Sequence, residues 1–242
     1  MISIVLVYVL FFFGCTETEV SVDPIVDPVD TVEDDLIRDA ELRSKIKLEL
    51  DIPNDIPITV ADMLKLTELD AEYSYGVLDS LLGLDYTPIS DLTGLEYAEN
   101  LVVLNLNAND IVDISSLAEL KNLKELNISN NEIKDISPLA GLENLQGLWI
   151  AYNSLVDISP LAGLENLREL QLHSNFLVDI SPLAGLENLQ VLILKGNHIV
   201  DLNPLKGLKN LRWLELTDNP LSNNSKKRII PIIRGNGTEV LY

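Results

Sequence analysis

The segment DISPLAGLENL occurs three times without change, at 135–145, 157–167 and 179–189, each copy 22 residues after the previous one. A fixed short period of this kind dictates a stack of like units, because no single unit can bury its own apolar face and each must lean on its neighbours. Leucine recurs in step at Leu101, Leu123, Leu145, Leu167, Leu189 and Leu211. Asparagine does the same at Asn109, Asn131, Asn153, Asn175, Asn197 and Asn219. Written as one unit, the pattern is LxxLxLxxNxIxDISPLAGLxN.

Within a unit, Leu104 and Leu106 alternate with positions 103 and 105, which is the period of a short strand with one face inward. Ile111, Ile114, Leu117 and Leu120 supply the other inward positions. The columns Ile114/Ile136/Ile158/Ile180/Leu202 and Leu117/Leu139/Leu161/Leu183/Leu205 never turn polar, so they are core. Asparagine both donates and accepts, so a buried column of it can satisfy backbone groups where the chain bends out of the strand. Losing a middle member of that ladder should cost ~1–3 kcal/mol. Ser-Pro at 137–138, 159–160 and 181–182 predicts a serine N-cap and a proline in the first helical position of a short outer turn.

With nine columns in agreement, the unit resembles the leucine-rich repeat in its 22-residue internalin-like form, and the resemblance covers residues 36–242. It implies an α/β solenoid, a right-handed coil with a parallel sheet on its concave face, capped at both ends. About seven units are expected over 79–221; the first, 79–100, keeps Leu82, Leu84, Ile89, Asp91, Leu92 and Leu95 in register but has Thr87 in place of asparagine. A helical N-terminal cap is expected over 36–78. There Ile37, Leu42, Ile46 and Leu50 share a helical face, and Thr59 with Asp62 forms a capping box opening a second helix. Over 222–242 a C-terminal cap is expected, with a helix at Lys226–Arg234 broken or kinked near Pro231 and a closing strand at 240–242. The Asp column (Asp91, Asp113, Asp135, Asp157, Asp179, Asp201) has two readings: a calcium ladder, or carboxylates accepting backbone N–H groups at the following turn. The resemblance favours the second and implies no metal site.

Residues 1–15, MISIVLVYVLFFFGC, are apolar but for Ser3 and too short to span a bilayer comfortably, which fits a secretory signal peptide. Phe-Phe-Gly-Cys resembles a bacterial lipobox, implying lipidation at Cys15, the chain's one cysteine. An uncleaved anchor or a different start codon is the alternative. Residues 16–35 are acidic, without Lys or Arg, and read as a disordered tether. Together these predict a lipid-anchored cell-envelope protein, in the outer membrane or at the cell surface where the cell has two membranes.

A net charge of -21 opposes phosphate-backbone binding, so no nucleic acid is expected as partner. No glycine-rich phosphate loop, HExxH or GxSxG motif is present, and neither enzyme activity nor a cofactor is expected. His173 could sit near Glu169 and Glu215, but no nucleophile accompanies them. The outward strand positions are where the units stop agreeing. Trp149, Tyr152, Glu169, His173, Val191, Ile193, Lys195, Trp213 and Glu215 are the candidate ligand-binding residues, with Trp149 the anchor. Trp213 has a second reading, burial beneath the closing strand through Leu241. The expected function is non-enzymatic recognition of a protein, or a glycan, by a monomer on the concave face. The alternatives are an envelope scaffold without a discrete ligand and, further off, an enzyme accessory module.

Overall fold

A computed structural model of the protein describes residues 36–73 and 87–242. The signal peptide and lipobox expected at 1–15 with Cys15, the tether at 16–35, and Leu82 and Leu84 of the first unit lie outside these residues. Eight three-residue strands form one parallel sheet in the order β1 to β8: β1 (Glu68–Asp70), β2 (Val103–Asn105), β3 (Glu125–Asn127), β4 (Gly147–Trp149), β5 (Glu169–Gln171), β6 (Val191–Ile193), β7 (Trp213–Glu215) and β8 (Glu239–Leu241). Each strand pairs with the next in sequence, and from β2 to β7 the register advances by one repeat, with Leu104 opposite Leu126 and Leu126 opposite Leu148. Sheet order that follows chain order is what a coil produces. The protein is a leucine-rich repeat solenoid with its sheet on the concave face.

The inward columns are buried as their periodicity requires: Leu104, Leu126, Leu148, Leu170, Leu192 and Leu214 from the strands, and Leu117, Leu139, Leu161, Leu183 and Leu205 from the outer turns. Those outer turns are 3-10 helices at Ser115–Leu117, Ser137–Gly141, Ser159–Gly163, Ser181–Gly185 and Asn203–Gly207. The expected serine N-cap is corrected here. Serine is the first helical residue, its side chain caps nothing, and the preceding aspartate does the work. Asp135, Asp157 and Asp179 each accept the N–H two residues on, from Ser137, Ser159 and Ser181, at 2.8 Å. That is an Asx turn, which offers a backbone donor an acceptor where the helix has none yet. These bonds from the serine N–H, helped by the serine hydroxyl, hold the Asp135 and Asp179 carboxyls below their ordinary range. Asp91 is lowered too, first through the Thr93 hydroxyl.

The asparagine ladder bonds as one continuous device. Asn131 donates to Leu106 O of the coil before at 3.0 Å and to Ile128 O of its own coil at 3.2 Å. Its Oδ1 accepts the Ile111 N–H at 2.9 Å. Asn153, Asn175, Asn197 and Asn219 repeat the scheme. Immediately before each ladder asparagine the backbone turns left-handed, at Ala108, Asn130, Tyr152, Ser174, Gly196 and Asp218, with φ between 51° and 64°. Only one of the six is glycine. Ala108, Tyr152 and Ser174 each cost ~1–2 kcal/mol of strain there, held in place because the asparagine side chain fixes the backbone on either side.

At the N-terminal end, α1 (Ala40–Glu49) buries Leu42 and Ile46, with Ile37 beside them and Leu50 half-buried. Asp39 caps α1 through the N–H groups of Glu41 and Leu42, and its second oxygen accepts Ser90 N–H at 3.0 Å, tying the helix to the first coil. Thr59 and Asp62 form the expected capping box, but the helix it opens, α2 (Val60–Met63), is a single turn. Gly94 permits close approach here: a Cβ would lie 2.1 Å from Leu36 O. At the other end the irregularity expected near Pro231 is a change of helix type rather than a break. A π turn, Ser225–Ile229, leads into α3 (Ile230–Gly235), and Pro231 falls in the first turn of α3, where a missing N–H is harmless. β8 then joins β7, burying Val240.

Candidate functional site

Outward residues of β4 to β7 form one surface because parallel neighbours sit about 4.8 Å apart. Trp149 lies opposite Asn127 on β3 and Gln171 on β5, and Ile193 lies opposite Gln171 and Glu215. Trp149 does not project freely. Its indole folds back along its own strand over Gly147, where an added Cβ would come within 2.5 Å of Cη2. Glu169 faces Gly147 across the sheet, and this brings Trp149 Nε1 to donate to Glu169 Oε1 at 2.9 Å. Gln171 Nε2 donates to the same oxygen at 2.8 Å. The anchor is therefore a half-buried ring whose far edge lies over Gly147 and whose N–H is held by a carboxylate.

Glu169, being so engaged, is not the partner of His173. The imidazole packs edge-on against Tyr152, ring centroids 5.1 Å apart at 83°, with Tyr152 set at the lip of the sheet by its left-handed backbone. His173 Nδ1 is buried with no hydrogen-bond partner. Burial lowers the His173 pKa, and Lys195 lowers it further, against an opposing pull from Glu215. Lys195 is exposed and 3.9 Å from Asp218, a loose ion pair. Glu215 accepts the Thr217 hydroxyl at 3.2 Å.

Val191, Ile193 and Trp213 are half-buried, so the closing strand does not hide Trp213. Leu241 sits beside Glu215 rather than over the ring and is itself 47% exposed. The nine candidate residues thus share one surface, with Tyr152, His173 and Lys195 along its rim. On the other side of Trp149 the sheet dips into a depression of about 260 Å³ bordered by Val103, Asn105, Glu125 and Asn127. Sequence reasoning missed this half, because nothing in β2 or β3 announces that Trp149 walls a concavity. It missed also a stripe of exposed valines, Val156, Val178 and Val200, on successive coils; the signal was there, at the position before each Asp of the repeat. Among the described residues, no group of three His, Cys, Asp or Glu side chains is placed to hold a metal ion.

Models of the leucine-rich repeat match the chain at 99–141 and 143–185, in two-copy form, and at 165–221. No curated protein matches it. Among solved structures, internalin C2 from Listeria monocytogenes is similar at 29% identity and a TM-score of 0.63, covering 86% of this chain and 94% of its own. A leucine-rich repeat protein of Leptospira interrogans is 30% identical with a TM-score of 0.58, over 62% of this chain and 39% of that one. The leucine-rich repeat ectodomain of a plant receptor kinase from Arabidopsis thaliana, solved in complex with Casparian Strip Integrity Factor 2, shares the fold at 24% identity and a TM-score of 0.51, over 61% of this chain and 18% of that one.

Proposed function

Because the chain is an internalin-like leucine-rich repeat protein, we propose that it is a non-enzymatic recognition protein that binds a protein ligand on its concave face. The observation that carries this is Trp149, fixed over Gly147 by the 2.9 Å bond to Glu169. An aromatic ring held in one rotamer beside a concavity loses little entropy on binding and supplies a large contact area, which is how binding hot spots are built. Val191, Ile193 and Trp213 extend the apolar surface toward the C-terminal coils, and polar Asn105, Asn127 and Gln171 surround it. Four strands give a patch roughly 15–20 Å wide, the size of a protein loop rather than a whole standard interface.

The apolar 1–15 segment and Cys15 support attachment of this module to the cell envelope through a lipid, with the acidic 16–35 stretch as spacer. Cys15→Ser should leave an unprocessed precursor and abolish palmitate labelling; retained labelling removes the anchor from the proposal without touching the concave site. For the site itself, a photo-crosslinking residue placed at 193 should yield a discrete protein adduct, and the same residue at 162, on the outer turn, should not. Equal adducts from both positions, or none from 193, would refute the placement of the site.

A further inference from the structure

A second surface separates itself from the concave patch by charge. The protein carries 17 Lys and Arg against 38 Asp and Glu, yet residues 195–242 hold eight basic side chains and four acidic ones. Part of that excess lines a groove of about 600 Å³ along the edge of the solenoid where β5, β6 and β7 begin. Arg168, Lys209 and Arg212 are its cations, and Asn188, Gln190 and Asn236 are among its polar lining. None of the three cations is ion-paired among the described residues. Their backbones are fixed by the sheet: Gln190 N–H donates to Arg168 O and Arg212 N–H to Gln190 O, both at 2.8 Å. Residues 168, 190 and 212 thus stand one strand apart, putting the two arginine Cα atoms roughly 10 Å from each other.

The repeat itself marks the place. Where the three coils before it read SPLAGLENL, the sixth reads NPLKGLKNL, so that Lys209 replaces the glutamate found at 143, 165 and 187 and matches Lys121 of the coil at 115–123. The position of Arg168 and Arg212 holds valine at 102, lysine at 124 and glutamine at 146 and 190, and it is in the C-terminal coils that two such arginines stand with Lys209 around one groove. A stability requirement shared by every coil would not distinguish these copies, since the fold accepts Glu and Gln at the same sites.

We propose that this groove binds an acidic glycan, a hydroxyl-rich chain bearing carboxylate or sulfate groups. Guanidinium forks pair with such oxyanions in bidentate fashion, and the side-chain amides between them both donate to and accept from sugar hydroxyls. Its lining side chains are polar apart from Leu211, which is buried, and Gly237, which has none. Without an apolar anchor it is a poor seat for a peptide, whose binding concentrates in buried aromatic and aliphatic contacts. The net negative charge of the rest of the chain is screened beyond about 8–10 Å at ordinary salt, so it does not cancel attraction at contact.

The test uses the purified 242-residue chain and calorimetric titration with oligogalacturonate, dextran sulfate, neutral dextran and polyglutamate. Binding is expected to one or both acidic sugars, weakening as salt rises, with neutral dextran and polyglutamate inert. Response to oligogalacturonate alone, or dextran sulfate alone, tells carboxylate from sulfate. The variants Arg168→Gln, Lys209→Glu and Arg212→Gln install residues that sister coils already carry, so folding should be retained. Each should weaken binding about ten-fold through a lost charge-assisted contact. Trp149→Ala should leave glycan binding unchanged. Polyglutamate binding as tightly as the sugars, titration without response to any polymer, or binding that survives the combined triple variant would each overturn the proposal.

Discussion

Gly147→Ala should displace the tryptophan and leave the fold in place. The alanine Cβ would lie 2.5 Å from Trp149 Cη2 and 2.9 Å from Cζ3, well inside the ~3.5–4.0 Å of ordinary carbon contact. Both atoms are at the far edge of the indole, so the ring swings away before the strand yields. The bond to Glu169 goes with it. A hydrogen bond to a charged group stabilises by about 1.5–3 kcal/mol when shielded, and about 1 kcal/mol is a fair figure for this half-exposed one. Alanine in turn restricts the unfolded chain and returns ~0.5–1 kcal/mol. The two effects nearly cancel, so the unfolding free energy from urea titration should stay within about 1 kcal/mol of the parent. The chain has two tryptophans, so its nitrogen–proton spectrum carries two indole signals, assignable with Trp213→Phe. The Trp149 signal should move and the Trp213 signal stay. An unmoved Trp149 signal would mean that the ring does not rest on Gly147. A loss of several kcal/mol would mean that the glycine serves the backbone instead.

Asn153→Ala strips the Ile133 N–H of its acceptor and removes the donor to Ile128 O, which keeps Asn131. One buried orphan donor plus the lost bonds should cost about 3 kcal/mol, read as a lower urea midpoint; no change would mean that the ladder is not structural. His173 has a folded pKa below its ordinary value because of burial. Its contribution to stability is therefore complete above the unfolded histidine pKa of about 6.5 and is lost as pH falls through the lower folded value. Between pH 7 and pH 5 the parent should lose more stability than His173→Gln, and parallel pH profiles would contradict this.

The leucine and asparagine columns made the coil, its period and its inward faces legible, because a 22-residue repeat leaves each column few environments to occupy. The Ser-Pro pairs were misread for a physical reason. Serine and aspartate two residues apart both accept hydrogen bonds at helix starts, and sequence alone does not say which one reaches the free N–H. The column of left-handed residues was invisible, since Ala108, Tyr152 and Ser174 are not residue types that announce positive φ. Trp149 could be placed on the outward face by alternation, but its rotamer could not. That depended on glycine two residues earlier on the strand and on glutamate one coil later, a relation that exists only once the register does. The cationic groove was present in the departures at Lys209 and Arg212, yet only the sheet brings Arg168 beside them.

Capture of partner protein by the immobilised chain, compared between the parent and Trp149→Ala with unfolding followed in parallel, tests recognition through the concave face most directly. The side chain is half-exposed and belongs to no core column, so the substitution should lower partner affinity by ~2 kcal/mol or more while the unfolding midpoint barely shifts. A partner held equally well by both proteins, or a variant that unfolds, would contradict the assignment of Trp149 as the anchor of the site.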